Sequence, residues 1–201
     1  MSGSGIALPA AFAQAVRAAR AAVPRRELTM TEITAPQGLA PHAFALAADV
    51  TPTPFDPDAD VATGRLVLLH DPAEPEAWLG AFRIVCYAQA PVDVDLATDP
   101  LMADVVWSWL VDALALRGAA YRAESGTATK AISSGFGELG TQPLGATVEL
   151  RASWTPIATE GAVPDMHAHV EAWGELLCML AGLPPTGDGV SSLTAKRNAH
   201  G

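Results

Sequence analysis

One hydroxyl-rich stretch of the chain contains the residue types that can bind an anion. Residues 125–134 read SGTATKAISS, and Thr127, Thr129, Lys130 and Ser133 are the candidate ligands of a phosphate or a similar anion. Hydroxyl and ammonium groups next to a glycine can surround a phosphate. The spacing differs from that of a P-loop, and threonines at alternate positions are also ordinary in a β-strand. Both interpretations therefore stay open.

Histidine and acidic residues do not recur at the spacing of a metal site. His167 and His169 are two residues apart and diverge on a helix, whereas His167 can pair with Glu171 at i,i+4. The sequence around His70 and Asp71 could bind a cation, but a charged turn is the favoured interpretation. We therefore expect no metal and no cofactor.

Nucleophilic catalysis also lacks a local signature. The chain has no Gly-x-Ser-x-Gly element, and the nearest sequence, residues 133–137, lacks the first glycine. A Ser–His–Asp or Cys–His group can still assemble from distant positions, so this alternative stays open. An enzyme is nevertheless the less favoured interpretation.

A second set of polar residues suits binding better than catalysis. Several arginines and a tyrosine occupy positions that would share the wetter face of a β-sheet. Cross-strand pairs with Glu124 and Glu149 would explain the arginines without a ligand. Alternatively, an open sheet face with fixed charges would receive a peptide. The candidate binding surface consists of Trp107, Arg83, Tyr87, Arg122 and Arg151.

The composition argues against several classes of protein. The chain has 201 residues, 12 basic against 22 acidic side chains, a formal net charge of −10 and 50% hydrophobic residues. This length fits one domain, and the apolar fraction is too high for a disordered chain. Nucleic-acid binding requires a basic surface, and no run approaches the ~18 apolar residues of a membrane span. We expect neither a nucleic-acid partner nor a membrane.

Cysteine usage and the N-terminal residues indicate the compartment. Cys86 and Cys178 lie in separate apolar stretches, whereas small secreted domains that depend on disulfides usually carry more cysteines. The Ala-rich stretch from Ile6 to Val16 has no basic residue before it, unlike a signal peptide. We expect two buried, reduced thiols in a cytoplasmic protein.

Hydrophobic periodicity predicts the elements that position these residues. The predicted helices run from Pro9 to Val23, Pro100 to Arg117 and Asp165 to Gly182. The predicted strands run from His42 to Val50, Gly64 to His70, Trp78 to Gln89, Tyr121 to Ser134 and Thr147 to Thr155. The order α-β-β-β-α-β-β-α predicts an α+β fold, in which an antiparallel sheet of about five strands carries helices on one face. Residues 1–185 form one domain in this interpretation, and residues 186–201 form a disordered tail.

The predicted helix from Pro100 to Arg117 is apolar on both flanks. Its thin polar stripe consists of Asp104, Ser108 and Asp112. A helix of this kind is normally covered on both sides. One flank can pack on the sheet, and the other needs a second helix or a second subunit. A homodimer is therefore one of two alternatives.

Several short motifs are specific enough to indicate a family. They include RLVLLHDP at residues 65–72, RASWTP at 151–156 and AGLPP at 181–185. Together with Trp107-Ser108-Trp109-Leu110, they resemble an uncharacterised actinobacterial family, domain of unknown function 3000, over most of residues 10–185. The resemblance implies a cytoplasmic actinobacterial protein and supplies no activity or catalytic residues.

The predicted order of elements is also similar to the type III secretion chaperone-like fold, which occurs in YbjN-like proteins. That similarity implies a small, acidic, dimeric protein that binds polypeptides, although a fold does not determine a function.

Two functional hypotheses follow. The first is a non-enzymatic protein-binding domain, chaperone-like or an adaptor, that holds a protein partner. The second is a small-molecule-binding domain or an enzyme that uses residues 125–134. The second hypothesis predicts a deep pocket in which several of its candidate polar groups converge, namely Thr127, Thr129, Lys130, Arg151 and His70.

Overall fold

A computed structural model describes residues 8–51, 62–137, 145–158 and 163–185. The predicted tail at residues 186–201 lies outside the described residues. The helices within these ranges are α1 (Ala10–Arg20), α2 (Val94–Thr98), α3 (Met102–Leu116) and α4 (Met166–Leu180). The strands are β1 (Leu28–Ile33), β2 (His42–Val50), β3 (Thr63–His70), β4 (Phe82–Val92), β5 (Tyr121–Ser133) and β6 (Gly145–Pro156).

The six strands form one antiparallel sheet in the order β1-β2-β3-β4-β6-β5. Side chains at the even-numbered positions of β2, β3, β4 and β6 belong to the core, where α1, α3 and α4 pack. The odd-numbered positions point to the opposite face of the sheet, away from α1, α3 and α4. The predicted α+β class, with helices on one face of an antiparallel sheet, is confirmed.

Three details of the structure differ from the prediction. The five-residue helix α2 was not predicted. Strand β1 was not predicted, because it is a six-residue edge strand in which only Leu28 is buried, so its sequence has little apolar alternation. Trp78 was predicted to begin a strand, but it ends a short 3-10 helix, Glu76–Trp78. Leu79 then adopts a positive φ of 57°, which interrupts an extended backbone. Strand β4 therefore begins at Phe82.

Helix α4 lies at the centre of the helical layer. All its residues except His167 and Glu171 are buried, and it contacts α1, α3 and strands β2, β3 and β4. A glycine allows this close approach: a Cβ atom at Gly64 of β3 would lie 2.7 Å from Cδ2 of Leu177. Helix and sheet can therefore meet at this point only because Gly64 has no side chain.

Both apolar flanks of helix α3 pack against elements of its own chain. It contacts β5 on one side and α4 on the other. Val106 and Leu110 are fully buried, and the Trp107 ring lies directly over Gly126 of β5. The sequence left two alternatives for the second flank of this helix, another helix or a second subunit. The structure places helix α4 of the same chain against it.

Glu175 of α4 is a fully buried carboxylate between two arginines. Its Oε2 lies 3.2 Å from Nη1 of Arg25, and its Oε1 accepts a hydrogen bond from Nη2 of Arg117. Arg25 lies in the α1–β1 connection and also donates to the Pro184 carbonyl at 2.8 Å. Arg117 ends α3 and also donates to Glu171 at 3.1 Å. One carboxylate thus joins the α1–β1 connection and the end of α3 to α4.

We predict that Glu175→Gln destabilises the fold by about 3–5 kcal/mol, because two guanidinium groups would then face an uncharged amide in a buried site. Urea unfolding at neutral pH measures this loss. The matched control is Glu32→Gln, which breaks an ion pair with Arg20 whose two side chains are 48% and 55% exposed. The control should have a much smaller effect, because an exposed ion pair contributes little to stability. Equal losses in the two variants would contradict the central role of Glu175.

Candidate functional site

The open face of the sheet carries a row of polar side chains that crosses five strands. Ala47, Arg65, Tyr87, Arg151 and Thr127 are direct cross-strand neighbours on β2, β3, β4, β6 and β5. We call these five residues the central row. Direct neighbours in an antiparallel sheet point to the same face. The central row therefore places one arginine on each side of a tyrosine.

The rows on either side differ in polarity. One neighbouring row is apolar at Ile33, Ala45, Val67 and Val85. The other contains Asp49, Thr63, Gln89, Glu149 and Thr129. Most of these residues, with Thr34 and Pro36, line a concavity of about 930 Å³. The apolar row and the central row with its two arginines therefore lie side by side on the floor of a single concavity.

The Arg151 side chain is anchored through its Nε atom, and its terminal nitrogens are exposed. Its Nε donates to Oε1 of Glu149 at 2.6 Å, and its guanidinium carbon lies 5.6 Å from the centroid of the Tyr87 ring, within reach of a cation–π interaction. The side chain is 68% exposed. Within the described part of the chain, neither the terminal nitrogens of Arg151 nor the guanidinium of Arg65 forms a hydrogen bond. Both arginines can therefore donate to a ligand.

Tyr87 and Glu149 have different protonation states at neutral pH. The Tyr87 hydroxyl lies 2.6 Å from Oε1 of Gln89 and 3.0 Å from Oε2 of Glu149, and it can donate to one of them at a time. Burial raises the pKa of Tyr87, and its hydrogen bond to Glu149 raises it further. The hydrogen bond from Arg151 lowers the pKa of Glu149. The central row therefore contains a neutral phenol between two cations, and the ionised carboxylate of Glu149 lies in the next row.

Two arginines of the predicted binding surface donate hydrogen bonds to other parts of the chain. Arg83 is only 8% exposed, and it donates to the Ala123 carbonyl at 2.8 Å and to Oγ of Ser153 at 2.7 Å. Arg122 donates to the Leu79 carbonyl. These bonds link the irregular start of β5 to its neighbours and to the connection between β3 and β4. Arg83 is covered by them, whereas Arg122 remains exposed to solvent.

Trp107 lies on the other side of the sheet from the central row. It belongs to α3 and packs on Gly126 from the helical side. The structure thus separates the predicted binding surface. Tyr87 and Arg151 lie on the open face, Arg83 is buried, Arg122 is exposed beside the β3–β4 connection, and Trp107 lies among the helices.

The candidate anion ligands of β5 do not surround a common point. Thr127, Thr129 and Ser133 lie on the open face, where they pair with residues of β6. Lys130 points to the helical side, and its Nζ donates to the Asp99 carbonyl at 2.7 Å. The reason is the two-residue period of a strand, which sends neighbouring side chains to opposite faces.

Sequence reasoning missed Arg65. It lies within the predicted strand of the RLVLLHDP motif, but its importance depends on its pairing with Tyr87. The alternation of this strand placed Arg65 on one face without indicating which residues stand beside it. Only the register of β3 against β4 supplies that information.

The described thiols and buried imidazole serve packing. Cys86 and Cys178 are free and buried, as predicted. Burial raises the pKa of Cys86 to about 12 and that of Cys178 to about 11, so both stay protonated and are poor nucleophiles.

Burial lowers the pKa of His169 to about 4, and its Nδ1 accepts a hydrogen bond from Nε1 of Trp154. His167 pairs with Glu171 at 3.4 Å, as predicted.

Two further findings concern the described ranges of the chain. In these ranges, no three His, Cys, Asp or Glu side chains lie close enough to hold a metal ion. Nor does any helix there have the length and apolar character needed to cross a membrane.

The tyrosines provide a direct test of the central row, because the chain contains only two. In a Tyr121→Phe variant, Tyr87 should titrate above the ordinary tyrosine pKa of about 10. Adding Glu149→Gln should lower this midpoint, since it removes the negative acceptor. Adding Arg151→Gln instead should raise it, since a nearby cation is lost. Phenolate absorbance against pH measures all three midpoints, and an unchanged midpoint in the Glu149→Gln variant would contradict the contact.

Comparisons with known proteins give one match. The family model described as a protein of unknown function (DUF3000) matches residues 8–191. No curated protein and no solved structure matches the chain. The similarity to the type III secretion chaperone-like fold therefore stays a prediction.

Proposed function

We propose that this chain, which belongs to the DUF3000 family of proteins of unknown function, is a non-enzymatic binding protein. Its open sheet face receives an extended, acidic segment of a protein partner. The observation that carries the proposal is the central row, in which Arg65 and Arg151 flank Tyr87 with donors that the fold does not use.

Charge distribution supports an acidic partner. The chain as a whole carries a formal charge of −10, yet the central row contains two arginines and no acidic residue. Glu149 in the next row is already paired with Arg151 and lies beside the Tyr87 hydroxyl. The two arginines attract a negatively charged segment and repel a basic one at this place on the surface.

The spacing of the arginines supports an extended segment. They lie on β3 and β6, with β4 between them, so their Cα atoms are roughly 10 Å apart at the usual distance between strands. About three residues of extended chain span the same distance. The adjacent apolar row, where Val85 is 36% exposed and Val67 is half-buried, can receive apolar side chains of the same segment. A sequence that mixes acidic and apolar residues fits both rows.

The proposal implies an adaptor or chaperone-like role in the cytoplasm. Two free, buried thiols suit a reducing compartment. A small anion is the second candidate ligand, because the volume of about 930 Å³ lies in the range of ligand pockets. In that alternative, Arg65 and Arg151 hold the anion, rather than the hydroxyl-rich segment.

A fluorescein-labelled peptide of alternating glutamate and valine tests the proposal by fluorescence anisotropy. Arg65→Glu and Arg151→Glu should each weaken binding at least about tenfold, because each replaces a donor by a like charge. The matched control is Arg26→Glu, which makes the same charge change at a side chain that is 93% exposed and lies outside the sheet. Its affinity should stay within about twofold of the unmodified protein.

Three outcomes would contradict the protein-binding proposal. One is equal binding of a lysine–valine peptide, and another is an equal loss in the Arg26→Glu control. The third is displacement of the peptide by inorganic phosphate with a saturable, Arg151-dependent affinity of its own, which would favour the small-anion alternative.

A further inference from the structure

We infer that β5 is an interface for a second copy of this chain. The β5 strands of the two copies pair antiparallel about a two-fold axis at Thr127. This inference does not depend on the proposed function, because it concerns the edge of the sheet rather than its open face.

Strand β5 is long and ends the sheet. It has 13 residues, more than any other described strand, and β6 is its only partner in the strand order. Its one irregularity lies between Arg122 and Ser125, so the nine residues from Ser125 to Ser133 continue in regular register. A regular edge strand of this length presents unpaired backbone N–H and C=O groups, which are a template for another strand. The opposite edge, β1, has only six residues.

The charges of β5 are self-complementary. Glu124 and Lys130 lie three residues before and three residues after Thr127. Antiparallel pairing centred on Thr127 and continued one residue beyond the regular stretch, to the edge of the irregularity, places Glu124 opposite the partner's Lys130. The two-fold axis repeats this pair. Opposite charges at directly facing positions stabilise a strand pair. The Lys130 ammonium donates once to the Asp99 carbonyl and has two further donors for a carboxylate.

Apolar side chains continue this edge on the helical side. Ile132 of β5 is 47% exposed, and the nearby start of α3 exposes 62% of Leu101 and 37% of Val105. The bond from Lys130 to Asp99 holds this start of α3 beside the strand. Trp107 is half-buried over Gly126, next to the proposed axis. A second copy on β5 would cover apolar surface as well as backbone.

The pairing would also join the two open faces. Thr127 is the last residue of the central row, so its contact with the partner's Thr127 makes the two rows continuous across both sheets. Arg151 and the partner's Arg151 would then be separated by three strand spacings, roughly 14 Å. A dimer of this kind presents two adjacent copies of the arginine and tyrosine site.

Light scattering on a concentration series tests the inference on the full chain. The unmodified protein should have twice the chain mass of 20.8 kDa. Thr127→Glu should increase the dimer Kd at least about tenfold, because two glutamates would face each other at the axis, whereas within the chain the new side chain stands beside Arg151. The matched control is Thr31→Glu on β1. Thr31 is an exposed threonine that extends the central row to the opposite edge of the sheet, and this variant should remain a dimer.

A charge exchange distinguishes strand pairing from damage to the fold. Glu124→Lys and Lys130→Glu should each weaken the dimer at least about tenfold, since each places like charges opposite one another. The double variant restores opposite charges and should recover most of the affinity. A change that merely unfolds β5 would not be rescued by a second substitution on the same strand.

Three outcomes would overturn the inference. The first is a protein that stays monomeric at every concentration. The second is a Thr31→Glu variant that dissociates as readily as Thr127→Glu. The third is a double charge exchange that remains as weak as the single variants while circular dichroism shows an intact fold, because the pairing would then not be centred on Thr127.

Discussion

The buried carboxylate of Glu175 sets the arrangement of the helical layer. It lies fully buried between Arg25 and Arg117, which belong to the α1–β1 connection and the end of α3. Burying a charge costs free energy unless partners compensate it, so each of the three elements needs the other two in place. Because α4 carries this carboxylate and lies against Gly64 of β3, the same contact also fixes how the layer sits on the sheet.

With the helices on one face, the other face becomes the surface where function can reside. Arginine side chains have two different roles on this face. Arg83 is covered by the start of β5 and by neighbouring hydroxyls, and its donors are satisfied. Arg65 lies one row beyond the apolar row, where nothing in the described chain covers it. Exposure of the donor, rather than the presence of arginine, therefore distinguishes a binding residue from a structural one.

Part of the candidate site could be predicted from the sequence. Tyr87 and Arg151 were assigned to one sheet face because strand alternation is a local property. Arg65 was missed because its role depends on its cross-strand neighbour, and Lys130 was grouped with Thr129 although adjacent strand residues point to opposite faces. Strand β1 was missed because an exposed edge strand is stabilised by its pairing with β2, and apolar periodicity contributes little to it.

The amino-acid sequence was sufficient to predict the α+β class, most helix and strand positions, the burial of both thiols and the DUF3000 family. All of these depend on local periodicity, composition or motifs. The tertiary structure decided the strand order, the position of Trp107 among the helices and the meeting of Arg65, Tyr87 and Arg151 in one row. The physical reason is that pairing between strands joins residues far apart in the chain, and a shift of one residue in register would send each side chain to the other face.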